Sequence, residues 1–246
     1  MIKKIASLCF LFMVVFSCNK NKQVDANLIL NKSIEVSGGK LIDSSEITFD
    51  FRNRKYKAIR QNGKFLLGRT TVKGTDSIYD LLDNNGFERF INEERISVPD
   101  SMVPTYSASV NSVHYFSVLP YGLNNKAVNK KVLGVFKVKD KTYHKIQVTF
   151  NEDGGGEDFE DEFIYWVNTE TYKVDYLGYS YNESDGLGFR FREAFNERYI
   201  EGIRFVDYNN YKPKLYPIKL ADLDVLFEMG ELKLLSIIEL ENITVN

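Results

Sequence analysis

Apolar and polar residues alternate along most of this chain of 246 residues. Around Ile47, Phe49 and Phe51, each apolar residue is followed by a polar one, which is typical of a β-strand with one buried face. Further segments of this kind follow, with turn sequences such as Asn62-Gly63 between them. They are residues 55–61, 65–73, 75–81, 87–91, 131–139, 143–150, 159–168, 172–182, 188–196, 203–211 and 232–245. The short connections favour an antiparallel meander.

Three segments depart from this alternation and predict helices. Residues 24–36 have apolar residues near helical spacing, and the Ser-Gly-Gly sequence after them ends a helix. Residues 107–119 lie in a proline-containing insert that a Pro-Tyr-Gly sequence closes. A short helical segment, residues 220–229, precedes the last strand. Because no strand is followed by an amphipathic crossover helix, the pattern argues against a βα-barrel. It predicts a mainly β (α+β) fold with a single large antiparallel sheet, an N-terminal helix and a central helical insert.

The first residues of the chain have the pattern of an export signal. Lys3 and Lys4 precede an apolar run that stops at Ser17-Cys18, as in secretory signal peptides. Residues 15–18 resemble a bacterial lipobox, in which the cysteine is acylated. We therefore predict a lipoprotein signal peptide at 1–17, a polar tether at 18–23 and a single domain at 24–246. The alternatives are an ordinary cleaved signal and an uncleaved anchor, although the run is shorter than the roughly 20 residues that span a bilayer.

The residues after Cys18 indicate where the protein would be anchored. Asn19, rather than aspartate, follows the cysteine, and this resembles lipoproteins that lack an inner-membrane retention signal. The tether has no acidic run of the kind that resembles a surface-export signal. We therefore expect an outer-membrane lipoprotein of the cell envelope, on the periplasmic face, whose partner is the membrane that its lipid enters.

Cysteine content and charge narrow the picture further. Of the two cysteines, Cys9 would leave with the signal and Cys18 would carry the lipid, so none remains for a disulfide. Without Lys3 and Lys4 the chain keeps 30 basic against 34 acidic residues, a formal charge of about −4. A mildly acidic protein has no electrostatic case for binding nucleic acid.

Six segments carry a resemblance to known proteins. They are residues 109–116, 119–123, 160–166, 174–181, 189–194 and 202–208. Through them the chain resembles the DUF6503 family of Bacteroidota lipoproteins, which has no established activity. The order of its elements resembles the LolA-like fold of lipoprotein carriers and receptors. This resemblance implies a curved half-barrel sheet wrapped over helices, with an apolar concave surface that takes acyl chains.

Several polar and aromatic residues in or near these segments are candidates for ligand binding. They are His114, Tyr115, Trp166, Tyr181, Arg190, Arg192 and Asp207. His114 is one of two histidines and lies in an apolar helical segment. It is either a general base or ligand contact, or a buried histidine with a local hydrogen bond. The second histidine, His144, is expected at the surface.

Arg190 and Arg192 lie on one face of a predicted strand, while Phe189, Phe191 and Phe195 lie on the other. The phenylalanines are expected in the core, so the arginines face solvent or line a polar cleft. Cross-strand salt bridges are the interpretation that we favour. The carboxylates available for them are Asp161, Asp175 and Asp207. The other interpretation is that the arginines bind the carboxylate or phosphate of a ligand head group.

Other chemistry has weaker signals in the sequence. Acidic residues between 152 and 162 surround three glycines and favour a solvated loop over a calcium site. Gly-x-Ser-x-Gly, a phosphate-binding loop, His-Glu-x-x-His and a nucleophilic cysteine are all missing from the sequence. We therefore expect no catalytic residue, metal or cofactor. Ser77 and Ser101 lie in Asp-Ser-apolar triplets that resemble O-glycosylation sites of exported Bacteroidota proteins.

These observations lead to one main hypothesis and two alternatives. The main hypothesis is a non-catalytic, lipid-anchored envelope protein that binds a hydrophobic or amphiphilic ligand, such as a lipid or acyl chain, in the concavity of the sheet. The first alternative is an envelope hydrolase in which His114 acts with Asp161 or Asp207. The second is a structural or partner-binding lipoprotein with a filled interior.

Overall fold

The structure is a computed structural model that describes residues 25–156, 159–183 and 186–246. The predicted signal peptide, Cys18 and the tether lie outside the described residues, so those three assignments stay predictions. None of the helices within the described ranges is long and apolar enough to cross a membrane.

In the described part of the chain, fourteen strands form two antiparallel sheets of seven strands each. The first sheet, in the order β14-β1-β2-β3-β4-β5-β6, contains β1 Glu46–Phe51, β2 Arg54–Gln61, β3 Lys64–Lys73, β4 Asp76–Asp83, β5 Gly86–Ile91, β6 Glu94–Ile96 and β14 Glu241–Val245. The second sheet, in the order β13-β12-β11-β10-β9-β8-β7, contains β7 Val128–Val138, β8 Lys141–Phe150, β9 Glu162–Asn168, β10 Val174–Glu183, β11 Gly186–Ile200, β12 Ile203–Pro213 and β13 Leu232–Ile238. The predicted mainly β, antiparallel fold is confirmed, but the single sheet that we expected is divided in two.

The division between the sheets follows from the central insert. Between β6 and β7 the chain leaves the first sheet through α3 Val103–Ser117, and β6 and β7 do not pair with each other. The helix begins four residues earlier than residues 107–119 because Pro104 lies in its first turn, where proline is tolerated. It ends close to Pro120, which cannot continue a helix.

The N-terminal helix α1 Ala26–Val36 lies within the predicted residues 24–36 and ends where the sequence predicts. The Asp25 side chain accepts a hydrogen bond from the Asn27 backbone N–H at 2.9 Å and caps the first turn. After α1, Gly38 has φ +90° and leads into the short helix α2 Gly39–Ile42. A Cβ on Gly38 would lie 2.6 Å from the Gly202 carbonyl oxygen. Glycine is therefore required where α1 meets the turn between β11 and β12.

The last predicted strand, residues 232–245, is split between the two sheets. β13 pairs with β12, whereas β14 pairs with β1. Asp207 holds the crossing because its carboxylate accepts a hydrogen bond from the Leu240 backbone N–H at 3.0 Å. Arg198 pairs with Asp207 at 2.9 Å and also donates to the Leu240 carbonyl at 2.7 Å. The alternation of the segment could not reveal this break, since it depends on residues more than 30 positions away.

The second sheet is buried on both faces. Along β9, Phe163, Tyr165 and Val167 pack in the same cluster as α1. The intervening Ile164 and Trp166 pack on the other face, against the segment formed by a 3-10 turn and α4 Leu223–Glu228. Strands covered on both faces read as near-continuous apolar runs, as β9 does.

The helix α3 lies between the two sheets. On one side, Val110 is fully buried against Ala58 and Leu67 of the first sheet. On the other side, Tyr115 and Phe116 pack against the core of the second sheet. The space between α3 and this face of the second sheet contains the candidate functional site.

Candidate functional site: a cavity between the central helix and the second sheet

A cavity of about 700 Å³ opens between α3 and the second sheet. Its walls come from α3, from strands β8 to β13, from the end of β1 and from the loop before β9. This volume falls within the range of about 300–1,000 Å³ that is usual for small-molecule sites.

Aromatic side chains form one wall of the cavity. Phe163 of β9 and Tyr179 of β10 are cross-strand partners, and their ring centroids lie 5.3 Å apart. Phe116 of α3 lies 5.4 Å from Tyr179 and 6.2 Å from Phe163. Such ring pairs have a large apolar surface. The wall can therefore contact an apolar chain over a continuous area.

A pair of tyrosine hydroxyls joins α3 to the sheet beside this wall. The hydroxyls of Tyr115 and Tyr165 lie 2.6 Å apart. Burial raises the pKa of both tyrosines well above its usual value, so both stay protonated at neutral pH. Of the two, only Tyr115 lines the cavity.

Arg192 supplies a positive charge inside the cavity. Its side chain lines the wall and is 8% exposed. The guanidinium carbon lies 3.8 Å from the centroid of the Phe116 ring, a cation–π contact, and Nη2 donates to the Tyr179 hydroxyl at 2.9 Å. A buried cation with an aromatic ring over one face can offer its remaining edge to an anionic oxygen.

Arg190 and Tyr181 lie nearer the solvent-exposed side of the same wall. The guanidinium of Arg190 lies 5.0 Å from the Tyr181 ring centroid, and its Nη1 donates to the Phe189 carbonyl at 2.8 Å. Glu160 and Asp161 also line the cavity, and Glu160 is exposed. The outer part of the cavity thus carries both charges, whereas its inner part carries the Arg192 cation.

His114 lies outside the cavity, on the side of α3 that faces the first sheet. It is 1% exposed, and its Nε2 lies 3.0 Å from the Gly68 carbonyl oxygen. Its ring packs edge-on against Phe49 and Tyr56. Burial lowers its pKa to about 3, so the ring is neutral at pH 7 and Nε2–H donates to Gly68. No carboxylate within the described ranges is hydrogen-bonded to His114, so this arrangement offers no acid–base pair for the hydrolase alternative.

Two other candidates also lie away from the cavity. Trp166 points to the opposite face of the sheet and donates from Nε1 to Asp224 at 3.0 Å. Asp207 binds Arg198, Leu240 and the Asn196 amide, the last at 2.6 Å, and so stabilises the crossing between the sheets. The structure therefore brings together four of the seven sequence candidates, namely Tyr115, Tyr181, Arg190 and Arg192.

Several residues that line the cavity were not among the candidates predicted from the sequence. They include Phe116, Phe163, Tyr179, Asn210 and Ser236. A signal was present for two of them. Tyr179 shares a strand face with Tyr181, and Asn210 is a polar residue two and four positions after the buried Tyr208 and Val206. Which strand faces meet across the sheet could not be read from one sequence.

The described part of the predicted acidic loop and the two predicted glycosylation sites lie away from the cavity wall formed by α3 and the second sheet, apart from Gly155, Glu160 and Asp161. Within the described ranges, no group of three or more His, Cys, Asp or Glu residues is arranged to hold a metal ion, and part of the acidic run lies outside those ranges. Ser77 and Ser101 are both exposed, so an O-linked sugar would have room at either position.

Comparison with solved structures shows the fold of this protein. It has a LolA-like fold and is similar to a LolA superfamily protein from Nitrosomonas europaea, with a TM-score of 0.51 and 14% identity over 90% of this chain and 93% of that one. It is also similar to a DUF1329 family protein from Desulfovibrio piger, with a TM-score of 0.44 and 11% identity over 89% of this chain and 92% of that one.

The particular family is given by the sequence. The chain belongs to the family of unknown function DUF6503, whose model matches residues 3–240. No curated protein matches the sequence significantly. The resemblance stated from the sequence is confirmed for both the family and the fold.

Proposed function

We propose that this protein is a lipid-anchored component of the cell envelope that binds a hydrophobic or amphiphilic ligand without catalysing a reaction. The observation that carries the proposal is the cavity of about 700 Å³ between α3 and the second sheet. Its aromatic wall suits an apolar chain, and the arginines and carboxylates around it suit a polar head.

The way in which α3 is held supports a cavity that persists without ligand. Arg69 of β3 donates to Ser109 of α3 at 2.6 Å, and it is itself paired with Asp80 at 2.6 Å. Together with Val110, these contacts fix α3 to the first sheet. On the other side, Tyr115 is bonded to the second sheet. Because both sides are fixed, the helix cannot easily move to fill the space.

The anchor is part of the same proposal. Acyl chains on Cys18 would hold the protein at the outer membrane, on its periplasmic face, since each buried CH₂ contributes about 0.8 kcal/mol. In this arrangement the outer membrane is the partner, and the ligand would be a lipid or acyl chain from the same compartment.

A cavity-blocking variant tests ligand binding. Ile238 of β13 lines the cavity, whereas its neighbour Ile237 does not and is 50% exposed. We expect Ile238→Trp to reduce binding of a fluorescent fatty acid at least tenfold, because the larger ring occupies the space of the ligand. The matched control Ile237→Trp should bind as the parent protein does. Protein that yields no amphiphile on lipid extraction and mass spectrometry, and that binds no such probe, would contradict the proposal.

The anchor has a separate test. Cys18→Ala removes the only site that the sequence offers for acylation, so we expect the protein to move from the membrane pellet to the soluble periplasmic fraction. Mass spectrometry of the parent protein should show the mass of the acyl chains on Cys18. A variant that stays in the pellet would mean that the body of the protein binds the membrane by itself.

A further inference from the structure

Two buried polar atoms in the cavity wall have no hydrogen-bond partner within the described ranges. They are Nε of Arg192 and Oδ1 of Asn210. The two residues face each other across β11 and β12, and they are 8% and 7% exposed. Buried polar groups in native proteins are nearly always hydrogen-bonded, so a pair of unpartnered atoms at one point of a cavity requires an explanation.

A third polar residue continues the pair into the next strand. Ser236 of β13 lies opposite Asn210 and accepts a hydrogen bond from its Nδ2 at 3.1 Å. Arg192, Asn210 and Ser236 therefore form a polar row across three strands, and all three line the cavity. The Asn210 amide can also turn over, in which case Ser236 donates to it and an N–H group faces the cavity. The row can thus offer either an acceptor or a second donor beside Arg192.

The surroundings of Arg192 leave one edge of its guanidinium for a ligand. The Phe116 ring covers a face of the group and Tyr179 accepts from Nη2, while Nε–H is unpartnered. No carboxylate within the described ranges forms an ion pair with Arg192, whereas the buried Arg69 and Arg204 have such pairs. Arg60 is buried to a similar degree and also has no ion pair among the described residues, but it does not line the cavity. A permanently charged group in this setting is stabilised when an anionic oxygen accepts from it.

We propose that the cavity takes an amphiphile with an anionic head, a carboxylate or a phosphate ester, and that this head is seated inward on Arg192 and Asn210. The inference rests on the proposed function and adds the chemical class and orientation of the ligand. One head oxygen accepts from Arg192 Nε–H, and the Asn210 amide contacts the second. The apolar chain then lies along Phe163 and Tyr179.

Three ligands of equal chain length separate the contribution of the head group to affinity from that of the apolar chain. Isothermal titration calorimetry of the unacylated Cys18→Ala protein with dodecanoate, dodecyl phosphate and dodecanol compares a carboxylate, a phosphate and an uncharged head. We expect an anionic ligand to bind about ten- to hundredfold more tightly than dodecanol, as is usual for hydrogen bonds to charged groups. Whichever of the two anionic ligands binds more tightly identifies the head group.

Substitution of Arg192 tests the residue that carries the inference. Arg192→Met keeps an unbranched side chain of similar length but removes the charge. We expect it to reduce anionic-ligand affinity to the level of dodecanol and to change dodecanol affinity less than about threefold. Arg54→Met removes the same charge from an exposed position on β2 and should change none of the three affinities. Asn210→Leu provides a second variant, with the same direction and a smaller loss, if circular dichroism shows that Arg192→Met is unfolded.

The outcomes separate this inference from the proposed function. Equal binding of dodecanol and both anionic ligands to the parent protein would overturn the anionic head and leave a general apolar site. A preference for anionic ligands that survives Arg192→Met and Asn210→Leu would overturn the assignment to the polar row. Failure of all three ligands to bind would instead count against the proposed function itself.

Discussion

Each face of the second sheet buries a cation, and the two cations differ in whether a carboxylate pairs with them. On the face covered by α4, Lys145 pairs with Asp224 at 2.8 Å, and Asp224 also accepts from Trp166 at 3.0 Å. On the face toward α3, Arg192 has no carboxylate partner in the described part of the chain and keeps a free Nε–H. The first arrangement is complete by itself and stabilises the fold. The second is incomplete by itself, and this is the property expected of a binding site.

The largest effect on stability should come from removing the carboxylate on the face covered by α4. Asp224→Ala would leave Lys145 and the Trp166 N–H buried without their shared acceptor, which typically costs about 3–5 kcal/mol. Urea unfolding monitored by circular dichroism measures this loss. The neighbouring Asp222 is exposed, so Asp222→Ala should change the free energy of unfolding by less than about 0.5 kcal/mol. Equal stability of the two variants would remove the distinction between the faces.

A smaller effect concerns a third buried basic group, His114, which can lose its proton whereas an arginine cannot. Its folded-state pKa of about 3 lies below the value of 6.5 for a histidine in water. Between these two pH values the unfolded chain binds more protons than the folded protein does. The contribution of His114 to the free energy of unfolding is therefore complete above pH 6.5 and decreases as the pH falls. We expect the titration of this group to lower the free energy of unfolding by about 2 kcal/mol between pH 6.5 and pH 5.

The pH dependence is measured by urea unfolding at several pH values. His114→Gln should remove most of the slope in this window. Burial also lowers the pKa of His144, on β8. Because His144 is less buried than His114, His144→Gln should leave most of the slope in place. An unchanged slope in His114→Gln would show that other groups dominate the titration.

The smallest effect on stability is expected on the face toward α3. Arg192→Met removes one hydrogen bond to Tyr179 but also removes a buried N–H without a partner. These two contributions oppose each other, so the free energy of unfolding without ligand should change by less than about 1 kcal/mol. A loss as large as that of Asp224→Ala would mean that Arg192 stabilises the fold rather than binding a ligand.

The sequence alone determined most of the elements and the class of fold. Alternation of polarity located the strands other than the short β6, although it joined β13 and β14 into one, and the Ser-Gly-Gly sequence located the end of α1. The sequence also predicted that Arg190 and Arg192 share one face of β11 while Phe189 and Phe191 share the other, because side chains alternate across any strand. In the structure the phenylalanines pack with α4 and both arginines line the cavity.

Only the tertiary structure decided which of these faces forms a site. Residues 232–245 have the pattern of one strand, yet they enter two sheets because Asp207 binds the backbone of Leu240. His114 and Tyr115 are neighbours in sequence, but the helix turns one toward the first sheet and the other toward the cavity. Likewise, Asn210 faces Arg192 only through the register of β11 and β12. Local pattern depends on the geometry of a few consecutive residues, whereas the cavity depends on contacts between residues far apart in the chain, which a single sequence does not record.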